Sequence, residues 1–534
     1  MTGVTFQQFT QLTSHGPVAY SVITAPAPTG LTAIGPVLGA GTVTGPRETV
    51  TQLERSVSSI VTVAGVNGDF FSQSGGRSYP SGIVMQDGAL VRPPTPAHSS
   101  IGFDASGNMH VGRISFSGTW KGTGQRRPVE GINQQPRGNQ TILFTPAWGA
   151  STPNLANAAV AVLEPFPAAG VDTDLDATVS AVGNGQVAIP SDGAVLVSTG
   201  SDAAKLQAEA PQGIQVTVRL ILPDSWASVV SALGGGPQLV KGGRALFTTG
   251  ENFDPIDLTT RQPRTAVGQL ADGRVILVTV DGGRPGYSVG MTGYELAKTM
   301  AGLGAVTAVG LQYGRYVASA FDGDVINRLS QSRQVPVKEA LLVQYAGVYA
   351  PPPSVALLGK GNAAAGVKLA YRLTRPSNVT ANVVEPNGTV HTLDSGSRQP
   401  GTYSFTWNAL TSEGTWHWTV QATDDKNNAS TADRTFQYDL TLTGLSVPRT
   451  SSGGVKIGFT LSRPASAVLS IAAPNGTQVA TLPGASLPAG SESLSWDGLA
   501  STGAKAPRGP YVATVTETSS IGTASYNARF ILSG

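Results

Sequence analysis

Asn67-Gly68-Asp69 follows the apolar run Val63, Ala64 and Val66 and directly precedes Phe70 and Phe71. An apolar run of that length reads as a buried strand, and Gly68 permits a turn that a side chain would obstruct. An amide and a carboxylate held beside a rigid apolar base suit a binding or catalytic site. Taken alone, the same residues also describe an Asn-Gly hairpin turn with a solvated Asp. Three later segments repeat the pattern of Gly-flanked polar residues next to apolar runs. They are Gly234-Gly235-Gly236-Pro237, Pro263-Arg264-Thr265-Ala266-Val267-Gly268, and Val278-Thr279-Val280-Asp281-Gly282-Gly283-Arg284. Each also has a plain structural reading: a loop after a helix, a surface or ion-paired Arg264, and a turn Asp281.

The elements that must position these residues are mainly strands. Residues 18–22, 216–222 and 275–280 read as strands, and two helical patterns fall at 226–233 and 294–303. The second carries Leu296, Met300 and Leu303 at helical spacing. Thr292 is its expected N-cap and Glu295 completes a capping box. An α+β mixed-sheet N-terminal domain is the expected outcome.

Composition narrows the function. Charged residues make up 13% of the 534, and 66 glycines and 36 prolines favour short strands and many turns. About two to four domains are expected at this length. A net charge of +2 without a Lys/Arg cluster speaks against a nucleic-acid partner. The absence of Cys removes disulfides, thiolate metal sites and cysteine nucleophiles. His15, His98, His110, His391 and His417 are scattered, with no pair at zinc-ligand spacing. No apolar run is long enough to span a membrane, and the N-terminus has no signal-peptide core. A secreted or cell-surface location is expected, with any signal already removed.

Three consecutive prolines, Pro351-Pro352-Pro353, mark a stiff connector, and everything after it is duplicated. Gly366-Val367-Lys368-Leu369 recurs as Gly454-Val455-Lys456-Ile457. Leu373-Thr374-Arg375-Pro376 recurs as Leu461-Ser462-Arg463-Pro464, and Pro386-Asn387-Gly388-Thr389 as Pro474-Asn475-Gly476-Thr477. Each pair is 88 residues apart. Alternating runs that meet Pro-Asn-Gly turns predict two all-β Ig-like sandwich domains, at 351–440 and 441–534. The pattern Trp496-Asp497-Gly498 through Gly509-Pro510-Tyr511-Val512 resembles the Ig-like module of flagellar hook-capping proteins. The first copy departs from it, with Asn408-Ala409 in place of Asp-Gly.

Residues 1–350 resemble the phosphodiester glycosidase family, typified by the lysosomal uncovering enzyme that removes N-acetylglucosamine from a sugar phosphodiester. The resemblance rests on Asn67-Gly68-Asp69-Phe70-Phe71, the Gly234 to Pro237 loop, Pro263 to Gly268, Val280 to Arg284, and the Gly290-Met291-Thr292 segment leading to Glu295-Leu296-Ala297. Two departures stand out. Asp281-Gly282-Gly283-Arg284 replaces the family's Asp-Gly-Arg. Gln312-Tyr313-Gly314-Arg315-Tyr316 stands where the family has Asp-Gly-Gly-Gly-Ser.

The resemblance implies a glycosidase acting on an α-linked sugar or sugar-1-phosphodiester of a cell-envelope glycan. Such hydrolysis uses two carboxyl groups, for which Asp69 and Asp281 are the candidates. Asn67, Gly235, Gly236, Arg264, Arg284, Gln312, Tyr313 and Arg315 are the expected substrate contacts. Among them Asn67 would orient sugar hydroxyls and Arg264 would hold an anionic group. Gln312 accepts and donates hydrogen bonds but does not ionise. The rewritten loop therefore also fits a catalytically impaired glycan-binding protein. No cofactor is required by the sequence, which is silent on bound Ca²⁺ or Mg²⁺ and on oligomeric state.

Overall fold

The computed structural model describes residues 1–534 apart from 2, 59–60, 75, 247–249, 360–362, 475 and 534. Asn475 of the second Pro-Asn-Gly turn lies outside the described residues. The chain forms two compact units, Met1–Ala346 and Gly347–Gly534.

In the first unit, two strands with few polar residues are buried on both faces, because the two sheets that hold them each have a layer on either side. Val275–Val280 and Thr62–Asn67 are buried along their whole lengths. Val275–Val280 lies inside a seven-stranded sheet ordered Thr5–Thr13, Gly16–Ala25, Val275–Val280, Arg264–Leu270, Ala305–Gly310, Gln238–Lys241 and Arg244–Ala245. Thr62–Asn67 is central in a five-stranded sheet, between Ser319–Phe321 and Glu339–Tyr345. The core between the two sheets joins Ile23, Val267, Leu277 and Val309 to Ala64, Val66, Leu341 and Val343.

Two helices cover the outer faces. Gly293–Gly302 sends Leu296, Ala297 and Met300 onto the seven-stranded sheet. Val50–Val57 sends Val50 and Leu53 onto the five-stranded one. The first begins at the anticipated box, with Glu295 N donating to Thr292 Oγ1 at 3.2 Å and Thr292 N to Glu295 Oε2 at 2.9 Å. Thr49 and Gln52 form the same box on the second helix, which the sequence reading did not identify.

The helix expected at 226–233 does not form. A short 3₁₀ turn at Asp224–Trp226 leads into the strand Val229–Gly234, which pairs with Ser100–Asp104. Apolar residues within so short a run fit either period, and β-branched Val229 and Val230 favour the strand. With helices this few and short, the molecule is mostly β, which corrects the α+β expectation.

In the second unit, each repeat encloses its own core between two sheets. Val367 pairs with Trp407 in one repeat and Val455 with Trp496 in the other, so the duplicated motifs occupy matching registers. The repeats differ at the turn after that tryptophan. Gly498 adopts φ +84°, and a Cβ there would lie 1.6 Å from the Gly453 carbonyl oxygen. Only glycine fits.

Candidate active site

The ends of Thr62–Asn67, Arg264–Leu270 and Val275–Val280 are joined through buried polar side chains. Asn67 is fully enclosed. Its Nδ2 donates to the Gln312 carbonyl at 2.7 Å, and its Oδ1 accepts from Thr265 Oγ1 at 2.7 Å and Ala318 N at 3.2 Å. The amide thus pins the 312–316 loop and the Ser319–Phe321 strand to the seven-stranded sheet. Nothing in this arrangement presents Asn67 to a sugar, so the geometry makes it a positioning residue. The Asn-Gly hairpin reading also fails. The turn leaves the sheet and enters a separate hairpin, Phe71–Ser74 with Arg77–Pro80.

Asp69 sits against bare backbone. Its Oδ2 accepts from Gly82 N at 2.8 Å, and a Cβ on Gly234 would come within 2.1 Å of that oxygen. The first glycine of the Gly-Gly-Gly-Pro loop is therefore room for this carboxyl. Asp69 Oδ1 is buried without a hydrogen-bond partner. Burial raises the carboxyl to about 7, against the pull of the Phe70 and Gly82 amides and of Arg92.

Glu339 is the carboxylate that the sequence reading missed. The Gly68 amide donates to its carbonyl at 2.9 Å, and a Cβ on Gly68 would meet Glu339 Cγ at 2.8 Å. The Glu339 side chain is completely buried and both its carboxyl oxygens lack partners. Burial, and then the neighbouring Asp69 charge, drive its pKa well above the carboxylate range. Arg92 supplies a nearby positive charge, itself lowered to about 10 by burial. Lys338-Glu339 ahead of the apolar Ala340-Leu341-Leu342-Val343 was a signal in plain sight, because charges are almost never placed inside a buried strand without a reason.

Asp281, the other expected catalytic carboxyl, has a contrasting environment. Oδ2 accepts from the Tyr287 hydroxyl at 2.8 Å and Arg328 N at 3.2 Å, and Oδ1 from Asn327 Nδ2 at 2.9 Å. Burial still raises its pKa, opposed by Asn327 and then Tyr287. These bonds staple the 281–288 turn to residues 327 and 328. The carboxyl whose pKa the Asp69 charge raises is that of Glu339, whereas both oxygens of Asp281 are occupied by hydrogen bonds.

Arg264 is buried, and its guanidinium is directed inward. Nε donates to the Met291 carbonyl at 3.0 Å, and Nη2 donates to those of Thr260 at 2.9 Å and Asp257. Its Cζ lies 4.9 Å from the centre of the Tyr313 ring, a cation–π contact. Burial lowers it to about 10. The guanidinium expected to hold an anion thus contacts three carbonyls and the ring of the altered loop.

The amides of Gly235 and Gly236 are likewise occupied by backbone partners. Their amides donate to the carbonyls of Ser99 at 3.0 Å and Gly310 at 2.8 Å. Arg284 Nε donates to the Leu329 carbonyl at 2.9 Å. Gln312 N donates to the Gly68 carbonyl at 3.1 Å, which brings the loop to the Asp69 turn, and Gln312 Oε1 is buried and unpartnered.

The half-buried rings of Phe70 and Tyr313 meet edge to face at 5.3 Å, and those of Phe71 and Tyr316 do so at 5.5 Å. Arg315, which is exposed, and Arg47 lie over Tyr316 and Phe71, each at 5.1 Å. Aromatic and guanidinium groups therefore border the turn.

Residues 169–344 match the family model for phosphodiester glycosidase, and residues 446–520 match that for the FlgD Ig-like domain. The Asp69 turn precedes the first matched segment. The SPbeta prophage-derived uncharacterized protein YomE of Bacillus subtilis (strain 168) is 34% identical over 89 residues, 17% of this chain and 14% of that protein. A hypothetical protein from Synechocystis superposes with a TM-score of 0.53 at 25% identity, covering 64% of this chain and 62% of that one. The catalytic domain of zebrafish N-acetylglucosamine-1-phosphodiester alpha-N-acetylglucosaminidase gives a TM-score of 0.34 at 14% identity, over 65% of this chain and 84% of that one. The chain thus spans less than two thirds of both YomE and the Synechocystis protein.

Proposed function

Because this chain carries a phosphodiester glycosidase domain and, further on, an FlgD Ig-like domain, we propose that its first unit is a hydrolase of α-linked sugars or sugar-1-phosphodiesters in which Asp69 and Glu339 divide the acid/base work. The observation that carries this reading is the buried Asp69–Glu339 pair, whose bare oxygens include Asp69 Oδ1 and both of Glu339. Two carboxyls in one low-dielectric site do not ionise together. Asp69 titrates first, near 7, and Glu339 keeps its proton to higher pH. At neutral pH the pair therefore offers one group able to take a proton and one able to give it. A cell-envelope glycan is the proposed source of substrate, and a secreted or cell-surface location goes with it.

Aryl α-glycosides and sugar-1-phosphodiesters provide the test. Wild type should release product, while Asp69→Asn and Glu339→Gln should not. Equal turnover by all three would remove the pair from the chemistry.

A second reading has its own support. Gln312 cannot ionise, and Tyr313 and Arg315 stand in the loop where the family has glycines, with Arg264 packed against the Tyr313 ring. Saturable oligosaccharide binding without turnover would establish a glycan-binding protein on the same fold. Activity gained in Gln312→Asp would then locate the lesion in that loop.

A further inference from the structure

The seven-stranded sheet ends on one side at Arg244–Ala245 and on the other at Thr5–Thr13. The first edge is two residues long and carries Arg244, and both short length and charge keep an edge from pairing with a foreign strand. Thr5–Thr13 has neither protection. Its nine residues include no charge and no proline, and all but Phe9 and Thr13 are exposed. They pair with Gly16–Ala25 from one end to the other without a bulge. Among the described residues no strand lies on the outer side.

The direction of the backbone groups follows from the neighbouring strand. Asp281 N donates to the Ala19 carbonyl at 3.0 Å, Val289 N to that of Pro17 at 2.9 Å, and Ala19 N donates to Ser288 Oγ at 3.0 Å. Odd-numbered residues of Gly16–Ala25 therefore turn away from Thr5–Thr13, and even-numbered ones turn toward it. In the observed register those even residues face Thr5, Gln7, Phe9, Gln11 and Thr13. Because bonded and non-bonded pairs alternate along an antiparallel ladder, the amides and carbonyls of Phe6, Gln8, Thr10 and Leu12 point out of the sheet edge.

The sequence of the strand says what fits that edge. Read outward from Phe9, Gln8 answers to Thr10, Gln7 to Gln11, Phe6 to Leu12 and Thr5 to Thr13. Phe6 and Leu12 are 43% and 83% exposed, and strand alternation puts both on one face. We propose that Thr5–Thr13 pairs antiparallel with the same strand of a second copy of this chain, about a two-fold axis through Phe9. In that register outward-pointing residues meet outward-pointing residues. Gln8 opposes Thr10 of the second copy and Phe6 opposes its Leu12, each as a hydrogen-bonded pair. The two exposed apolar side chains then cover each other, and no like charges meet. Such a two-fold contact uses up the edge, so assembly stops at two chains.

Sedimentation of the full chain at about 10⁻⁴ M, which populates any micromolar dimer, should give twice the mass of one chain. Thr10→Pro removes an outward N–H and spares the ladder to Gly16–Ala25, so the dissociation constant should rise by about 10-fold or more. Thr10→Val keeps that N–H and should stay dimeric. The chain has no cysteine, so a single introduced one reports the register. Phe9→Cys lies on the axis in a non-hydrogen-bonded pair, where Cα atoms about 4.5 Å apart suit a disulfide, and should cross-link two chains under mild oxidation. Gln7→Cys faces itself only in a register centred on Gln7 and should cross-link far more slowly. A wild type of single-chain mass overturns the proposal and leaves the edge to a strand of another protein. A mass that grows beyond two chains also overturns it, as does a dimer that Thr10→Pro leaves intact or equal cross-linking of the two cysteine variants.

Discussion

Asp69 and Asp281 stand in the same kind of sequence, each just past an apolar strand and beside a glycine, yet their surroundings are opposite. Asp281 has hydrogen-bond donors on both carboxyl oxygens, from Tyr287, Asn327 and Arg328. Asp69 has the Gly82 amide on one oxygen, nothing on the other, and Glu339 as its neighbour. A carboxylate supplied with donors holds structure together. One that is buried, bare and beside a second acid costs stability, and such sites are where chemistry is expected.

The comparison can be broken most severely by isosteric amides. Asp69→Asn should reduce hydrolysis by about 10²- to 10⁴-fold, the usual range for a lost acid/base group, in the assay that defines wild-type turnover. The same substitution should leave the first unit at least as stable in urea at pH 8, because it removes a buried uncompensated charge. Asp281→Asn should do the reverse and destabilise that unit by about 2–4 kcal/mol, since hydrogen bonds to a charged acceptor are lost. If both variants destabilise equally, the contrast between the two sites is void.

Next in size is Gly234→Ala. Its new Cβ would lie 2.1 Å from Asp69 Oδ2 and 2.7 Å from Gly82 Cα. Displacing both should cost about 1–3 kcal/mol, as overpacking does, whereas Gly283→Ala near Asp281 meets no atom within 4 Å. Gly283 has φ +69°, so its substitution reports backbone strain alone.

The comparison also predicts a pH dependence. Asp69 is raised from 3.8 to about 7. Between those values the unfolded chain has released a proton that the folded chain keeps. Stability therefore falls as pH rises through this window and levels off above it. Chemical denaturation of the first unit across that range should show the decline, and Asp69→Asn should reduce its slope. An unchanged slope would place the titration elsewhere.

Part of this was legible before the fold was known. The repeat follows from motifs at constant spacing, and the structure places its paired Val and Trp residues in matching registers. The Thr292–Glu295 capping box and the Val275–Val280 strand are local patterns, and both form. The helix expected at 226–233 did not form. Its eight residues satisfy two periods, and β-branched Val229 and Val230, together with pairing to Ser100–Asp104 and Val84–Gln86, select the strand. Arg264, anticipated as an anion clamp, donates to the carbonyls of Asp257 and Thr260, close to it in sequence, and of Met291, which only the fold brings to it.

The sequence by itself determined which residues are polar at strand ends, where the chain is duplicated and which family its motifs resemble, because these depend on order along the chain. Only the tertiary structure decided that Glu339 feels the charge of Asp69, 270 residues away, and that Asn67 joins the 312–316 loop to Thr265. Burial and electrostatic coupling depend on distance through space. Pairing Thr62–Asn67 with Glu339–Tyr345 sets that distance, since the register that aligns Asn67 with Ala340 delivers the two acids to one end of the sheet.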